Sequence, residues 1–167
     1  MQKPAYSTRA VDNQWEANDS IGISSTGLIE NLKYVRVGTT SQFSTATSWW
    51  FKDTDTHTFN AYYPYNAKPA SDLISFTVPN TATQAAQKKN DFLFATGTAS
   101  GSSDEVYLNF RHKMAKVTLK IYTATEYGFS TSDFSNTTLS FIDFDEKGTF
   151  NIKTGEVKST GSTYKEM

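Results

Sequence analysis

Apolar and polar residues alternate with a period of two along most of this chain, which predicts strands with one buried face. Ile21 and Ile23 flank Gly22, and Leu32 to Val37 places Tyr34 between Lys33 and Val35. Phe59, Ala61 and Tyr63 share one face, and Pro64 should stop that ladder because it has no N–H to donate. Ile74, Phe76 and Val78 alternate with Ser75 and Thr77 before Pro79, and Phe92 to Ala95 is a short continuous apolar run. Val106, Leu108 and Phe110 alternate again, as do Val117, Leu119 and Ile121, and Leu139 to Phe144 follows. Phe150 and Ile152 lead into Lys153-Thr154-Gly155-Glu156, a turn with Gly where positive φ is wanted, so residues 149 to 158 read as a hairpin. The total is about nine or ten strands at sandwich spacing. Thr81 to Lys89 has no apolar face and is expected to be a loop or a short surface turn.

The expected fold is therefore all-β, a two-sheet antiparallel β-sandwich. Phe110 and Val117 are an odd number of residues apart, so an unbroken strand would point them to opposite faces. Either a bulge or a strand changing sheets is expected near His112 to Ala115. Three stretches divide the chain: an N-terminal extension over 1–14, a sandwich domain over 15–136, and the start of a second β domain over 137–167. The last stretch holds too few strands for a core of its own, so the chain is expected to stop just inside that second domain.

Composition sharpens this picture. The 12 Phe, 9 Tyr and 3 Trp favour strands, whose pleated surface packs aromatic and branched side chains well. Sixteen basic against 17 acidic side chains leave no field of one sign, which argues against nucleic acid as a partner. Cysteine is absent, excluding disulfides, a thiolate nucleophile and Cys-based zinc sites. No segment approaches the roughly 20 apolar residues of a membrane-spanning helix. No apolar stretch follows Met1, so an exported form would already have lost its leader.

Candidate chemistry is sparse. Asp53, Asp55 and His57 could line one side of an extended segment as metal ligands, but a polar loop entering a strand explains them better. The calcium-loop pattern fails there, lacking its Gly and its distal Glu. His112 has no nucleophile context and is expected to be a partly buried imidazole bonded to backbone. Asp143, Asp145 and Glu146 precede a turn, as solvated strand ends do, rather than forming a glycosidase pair. No nucleophile elbow, phosphate loop or zinc-protease motif occurs. No catalytic residue, metal site or cofactor is assigned, and an enzyme is the least favoured class. The aromatic runs Trp49-Trp50-Phe51 and Tyr62-Tyr63-Pro64-Tyr65 could stack on sugar rings, with Trp49, Trp50 and Tyr65 as the candidate platform. Adjacent strand residues face opposite ways, however, so at most half of each run can share a face.

The ordered set Ile21-Gly22-Ile23, Asn31 to Tyr34, Trp49-Trp50, Phe59 to Tyr65, Ile74 to Pro79 and Asp91 to Ala95 resembles the fimbrillin-like family. Val106 to Val117, with its Phe110-Arg111-His112-Lys113-Met114 core, and Lys147 to Gly155 extend the resemblance over most of residues 12 to 158. The resemblance implies two transthyretin-like sandwich domains in a stalk, tip or anchor subunit of an outer-membrane, cell-surface fimbrium. It implies export as a lipoprotein precursor whose lipidated N-terminus links it to the membrane. The implied partners are other pilus subunits, joined when one molecule's strand fills a groove opened in the next. Host or bacterial surface ligands come second. Arg9 is then the candidate processing site for an arginine-specific protease. The alternative class is a surface glycan-binding module.

Overall fold

In a computed structural model, the residues described are 14–79, 83–103, 105–115, 128, 130, 132 and 140–166. Alternation becomes ladder across most of them. The strands are β1 (Ser20–Ser25), β2 (Ile29–Arg36), β3 (Phe43–Ser44), β4 (Thr56–Tyr63), β5 (Leu73–Thr77), β6 (Leu93–Ser100), β7 (Arg111–His112), β8 (Ser140–Asn151) and β9 (Val157–Glu166). They form two antiparallel sheets, one in the order β3-β2-β1-β4-β6-β7 and the other β5-β8-β9. The all-β expectation is met.

Register explains which residues are buried. Ile21 lies opposite Tyr34 and Ile23 opposite Leu32, so the odd-numbered positions of β1 share a face with β2's apolar residues. β4 and β6 pair from Thr56 with Ser100 through Tyr63 with Leu93. That register brings Phe59, Ala61, Tyr63, Leu93, Ala95 and Ala99 onto the same face, where they form the larger core with Ile21, Ile23, Trp15 and Phe110. The opposite face of the large sheet meets the three-stranded sheet. There Tyr62, Phe92, Phe150 and Ile152 form a second core, with Ile74, Phe76 and Phe94 packed against it. A strand covered on both faces reads as a continuous apolar run, which is the physical origin of Phe92 to Ala95. Further along the same strands Thr58 and Thr98 are exposed, and alternation returns.

Glycine makes room for a large ring between neighbouring strands of the six-stranded sheet. A methyl group at Gly22 would collide with the Tyr62 ring and lie 2.7 Å from Asn31 Oδ1. Tyr62 can therefore lie across β1 and donate its O–H to Asn31 Oδ1 at 2.7 Å. The hairpin between β8 and β9 turns as expected. Asn151 Oδ1 accepts from the N–H groups of Lys153 and Thr154, and Gly155 takes φ +68° against the Phe94 ring.

Three expectations need adjusting. In place of the loop or short surface turn expected over Thr81 to Lys89, a short helix, α1, runs over Gln84–Asn90. Thr83 caps it, its hydroxyl accepting from Ala86 N–H at 3.3 Å, and Lys88 and Lys89 occupy the last turn, where they complement the helix dipole. Val106 to Phe110 alternates in burial as a strand would, yet belongs to no described strand. It lies across the face of β6 instead, with Tyr107 O, Val106 and Leu108 packed over Gly97. Phe76, heading an apolar set, is only half-buried because β5 is a sheet edge. Val117, Leu119 and Ile121 lie outside the described residues, and so does the second half of the expected bulge or sheet change. β8 shares its sheet with β5, from Leu73 opposite Asn151 to Thr77 opposite Lys147.

Candidate functional site

A sheet edge is a site because its outward N–H and C=O groups can bind another chain. The six-stranded sheet has blunt edges, since β3 and β7 are two residues each. β5 differs. Ile152 N–H donates to Asp72 O, and Val78 N–H donates to Glu146 O. In an antiparallel ladder this turns the backbone groups of Ile74 and Phe76 toward β8 and those of Leu73, Ser75 and Thr77 outward. Leu73 exchanges bonds with Ala70, and Thr77 O accepts from Asn90 Nδ2 at 2.6 Å. Among the described residues the N–H and C=O of Ser75 have no partner. Inward of this edge, across β5, β8 and β9, runs a shallow trough of about 250 Å³, lined by Ser75, Phe76, Thr77, Lys147, Gly148, Thr149 and Thr160. Ile74 and Phe76, both half-buried, give this edge an apolar backing.

A second constellation surrounds the turn that leads into β1. The Trp15 ring is wedged edge-on against Phe43, Tyr63 and Phe110 at 4.9, 5.5 and 5.4 Å. Asp19, almost fully buried, accepts from its own turn at Glu16 N–H and from the Tyr63 hydroxyl. Lys88 of α1 reaches Asp19 at 2.8 Å and Glu16 at 2.6 Å. Burial opposes the charge on Lys88, but these two carboxylates outweigh it and its pKa is raised. Burial, followed by the charge of Asp19, pushes the Tyr63 phenol well above its ordinary value. The Arg36 guanidinium donates to the carbonyls of Trp15, Thr39 and Thr40. Sequence alone did not single out this cluster. Lys88 and Asp19 are far apart in the chain, and neither stands in a recognisable motif.

The residues that sequence did single out are scattered. Trp49 is half-buried, packed on Phe51 and Phe59, with its Nε1 donating to the Tyr34 hydroxyl at 2.7 Å. Trp50 is 75% exposed. Tyr65 packs with the second core, on the other face of the large sheet from Trp49, and Lys33 stands over its ring at 5.6 Å. The structure thus does not bring Trp49, Trp50 and Tyr65 onto one surface. Arg9 lies outside the described residues.

His57 Nε2 meets Asp53 Oδ1 at 2.7 Å, and Asp55 N–H donates to the same oxygen. The hydrogen bond to His57 holds the Asp53 carboxyl below its ordinary range against a smaller effect of desolvation. Asp53 is thereby occupied within its own loop, and among the described residues no three His, Asp or Glu side chains converge as a metal requires. His112 is exposed and bonds the Asp91 carboxylate at 2.6 Å. This corrects the expected partly buried imidazole with a backbone partner. β7 is an edge strand, and its side chain finds the nearest acceptor at the mouth of β6. Asp145 is exposed, but it lies inside β8 rather than at a strand end before a turn, which corrects that part of the expectation, while the Asp143 side chain lies outside the described set. No helix among the described residues is long and apolar enough to cross a membrane.

Comparison with known proteins places this geometry in context. The sequence profile of the fimbrillin-like family matches residues 8–167. A Bacteroides uniformis protein described as a candidate fimbrium subunit, Fim1C, is 31% identical over 96% of this chain and 56% of its own length. A crystal structure of a candidate cell adhesion protein from Bacteroides uniformis superposes with a TM-score of 0.72 at 29% identity, covering 92% of this chain and 64% of that one. One from Bacteroides ovatus, at 23% identity, shares the fold with a TM-score of 0.70, over 96% of this chain and 64% of its own. The chain thus spans a little over half to about two-thirds of the length of these relatives.

Proposed function

Because the chain belongs to the fimbrillin-like family, we propose that it is a structural subunit of a cell-surface fimbrium that takes up a strand from a neighbouring subunit along β5. The supporting observation is the open edge at Ser75, backed by Ile74 and Phe76. An added strand would bond Ser75 through its main chain and lay alternate apolar side chains over Phe76, which is β-augmentation. The proposal includes export as a lipidated precursor, anchoring at the outer membrane and release of the N-terminal arm by cleavage after Arg9. Adhesion to host or bacterial surfaces belongs to the assembled fimbrium.

The test is Ser75→Pro. Proline removes an N–H that points outward, where no ladder bond is lost, and so spares the β5–β8 pairing while blocking an added strand. The chain, cleaved after Arg9, should form oligomers by light scattering when Ser75 is present. Ser75→Pro should fold with an unchanged circular dichroism spectrum yet remain monomeric. Oligomers at wild-type levels in the proline variant would remove β5 as the acceptor.

The glycan-binding alternative keeps one supporting observation, the exposure of Trp50. A sugar stacked on that ring would quench its fluorescence, and Trp50→Ala would abolish the retention of the chain on a glycan matrix. Equal retention of both proteins would end this reading.

A further inference from the structure

Trp15 touches both ends of the six-stranded sheet. Phe43 belongs to β3 and Phe110 directly precedes β7, the two outermost strands. Since one indole contacts both rings, those rings lie within roughly 10 Å of each other, whereas five strand spacings in a flat sheet span roughly 24 Å. The sheet is therefore rolled about Trp15, and the indole bridges edges that would otherwise part. The backbone around the indole is held as firmly as its ring. Arg36 binds the Trp15 carbonyl, and Lys88 joins Glu16 to the buried Asp19, which Tyr63 also holds.

We propose that Trp15 to Asp19 is a clamp that closes the rolled sheet and fixes where the N-terminal arm ends. Chain ahead of it can be cut or exchanged without opening β3 or β7, and chain from Trp15 onward stays with the body. The clamp's purpose rests on the strand-exchange reading above, but its existence does not. Trp15 is a positioning residue, acting on two edges through Phe43 and Phe110.

The sequence supplies its own reporter. Arginine occurs at three positions only: Arg9 before the clamp, Arg36 opposite Phe43 at the β3 edge, and Arg111 next to Phe110 at the β7 edge. An arginine-specific protease under native conditions should cut wild-type chain after Arg9 at least tenfold faster than after Arg36 or Arg111. Trp15→Ala should raise cutting at Arg36 and at Arg111 together, tenfold or more, and leave the rate at Arg9 unchanged. Phe150→Ala, which weakens the other core, is the matched control and should open neither edge selectively. Should Trp15→Ala fail to fold, Lys88→Met, which removes only the ionic half, should give a smaller rise at both sites. The clamp is overturned if the rise occurs at one edge only, matches the Phe150→Ala control, or is absent in both clamp variants. It is also overturned if wild-type chain is cut at Arg36 as fast as at Arg9. A chain that passes these tests yet takes up no strand after cleavage would sink the strand-exchange reading and leave the clamp standing.

Discussion

Removing the Phe150 ring should loosen the contact between the two sheets, and its cost can be worked from the structure. Phe150 is fully buried, stacked on Phe92 with ring centroids 4.6 Å apart and planes 11° apart, and it meets Tyr62 at 6.1 Å. Returning such a side chain to water forfeits about 1.5–3 kcal/mol. The cavity left between Phe92 and Tyr62 cannot collapse freely, because Tyr62 is tied to Asn31 and Asn66. The cavity raises the total for Phe150→Ala to about 3–5 kcal/mol. For a chain of this size that lowers the melting temperature by roughly 6 to 20 °C. Urea unfolding followed by far-ultraviolet circular dichroism measures the loss, with Thr58→Ala on the exposed face as a control that should stay within about 0.5 kcal/mol. The transition should remain a single step, because Phe150 of the three-stranded sheet and Phe92 and Tyr62 of the large sheet share one core. A loss below about 1 kcal/mol, or two separate transitions with only one shifted, would refute the packing argument.

Two further outcomes follow from buried groups. Burial raises the Tyr62 phenol to about 12, so absorbance titration should show its ionisation well after that of exposed tyrosines. The unfolded phenol ionises near 10 and the folded one does not. This group's stabilising contribution is therefore intact below pH 10 and lost as pH rises through about 12, and Tyr62→Phe should remove that alkaline limb. At the β8–β9 turn, Gly155→Ala would drive a methyl group to within 2.5–2.8 Å of Phe94 Cδ1 and Cβ in a backbone at φ +68°, at a cost of about 1–3 kcal/mol measured by the same urea unfolding.

Strands whose periodicity reflects one covered face were readable from sequence, as Ile21, Ile23, Phe59, Ala61 and Tyr63 illustrate. The turn at Gly155 was readable too, since its φ is a local requirement. What escaped is what depends on a second layer. Tyr62 and Tyr63 are neighbours on opposite faces, and alternation suggests that one of them is exposed. Both are buried, because the three-stranded sheet covers the second face. Likewise Val106 to Phe110 has the pattern of a strand because it lies on a core, and burial alone generates that pattern without a ladder. The clamp was invisible for another reason. Glu16, Asp19 and Lys88 read as ordinary surface charges, and only the fold shows that Asp19 is buried with Lys88 as its counter-charge. Of the candidate site, Ile74 and Phe76 were legible as strand residues, but their place at a sheet edge is a property of strand order.

The unequal edges of the two sheets bear on the shape of whatever these molecules build. β3 and β7 are too short to template a partner, and β9 carries exposed polar residues on both faces from Lys158 to Gly161. β5 combines an unsatisfied backbone at Ser75 with apolar backing from Ile74 and Phe76. On the strand-uptake proposal, a particle with one receptive edge would have a valence of one for incoming strands, so each newcomer would find a single berth and offer a single berth in turn. Head-to-tail contacts of that kind do not branch, and they build an open filament wherever the rotation from one subunit to the next does not close a ring. The length of such a thread would then be a matter of supply and termination, and its width would be set by one subunit.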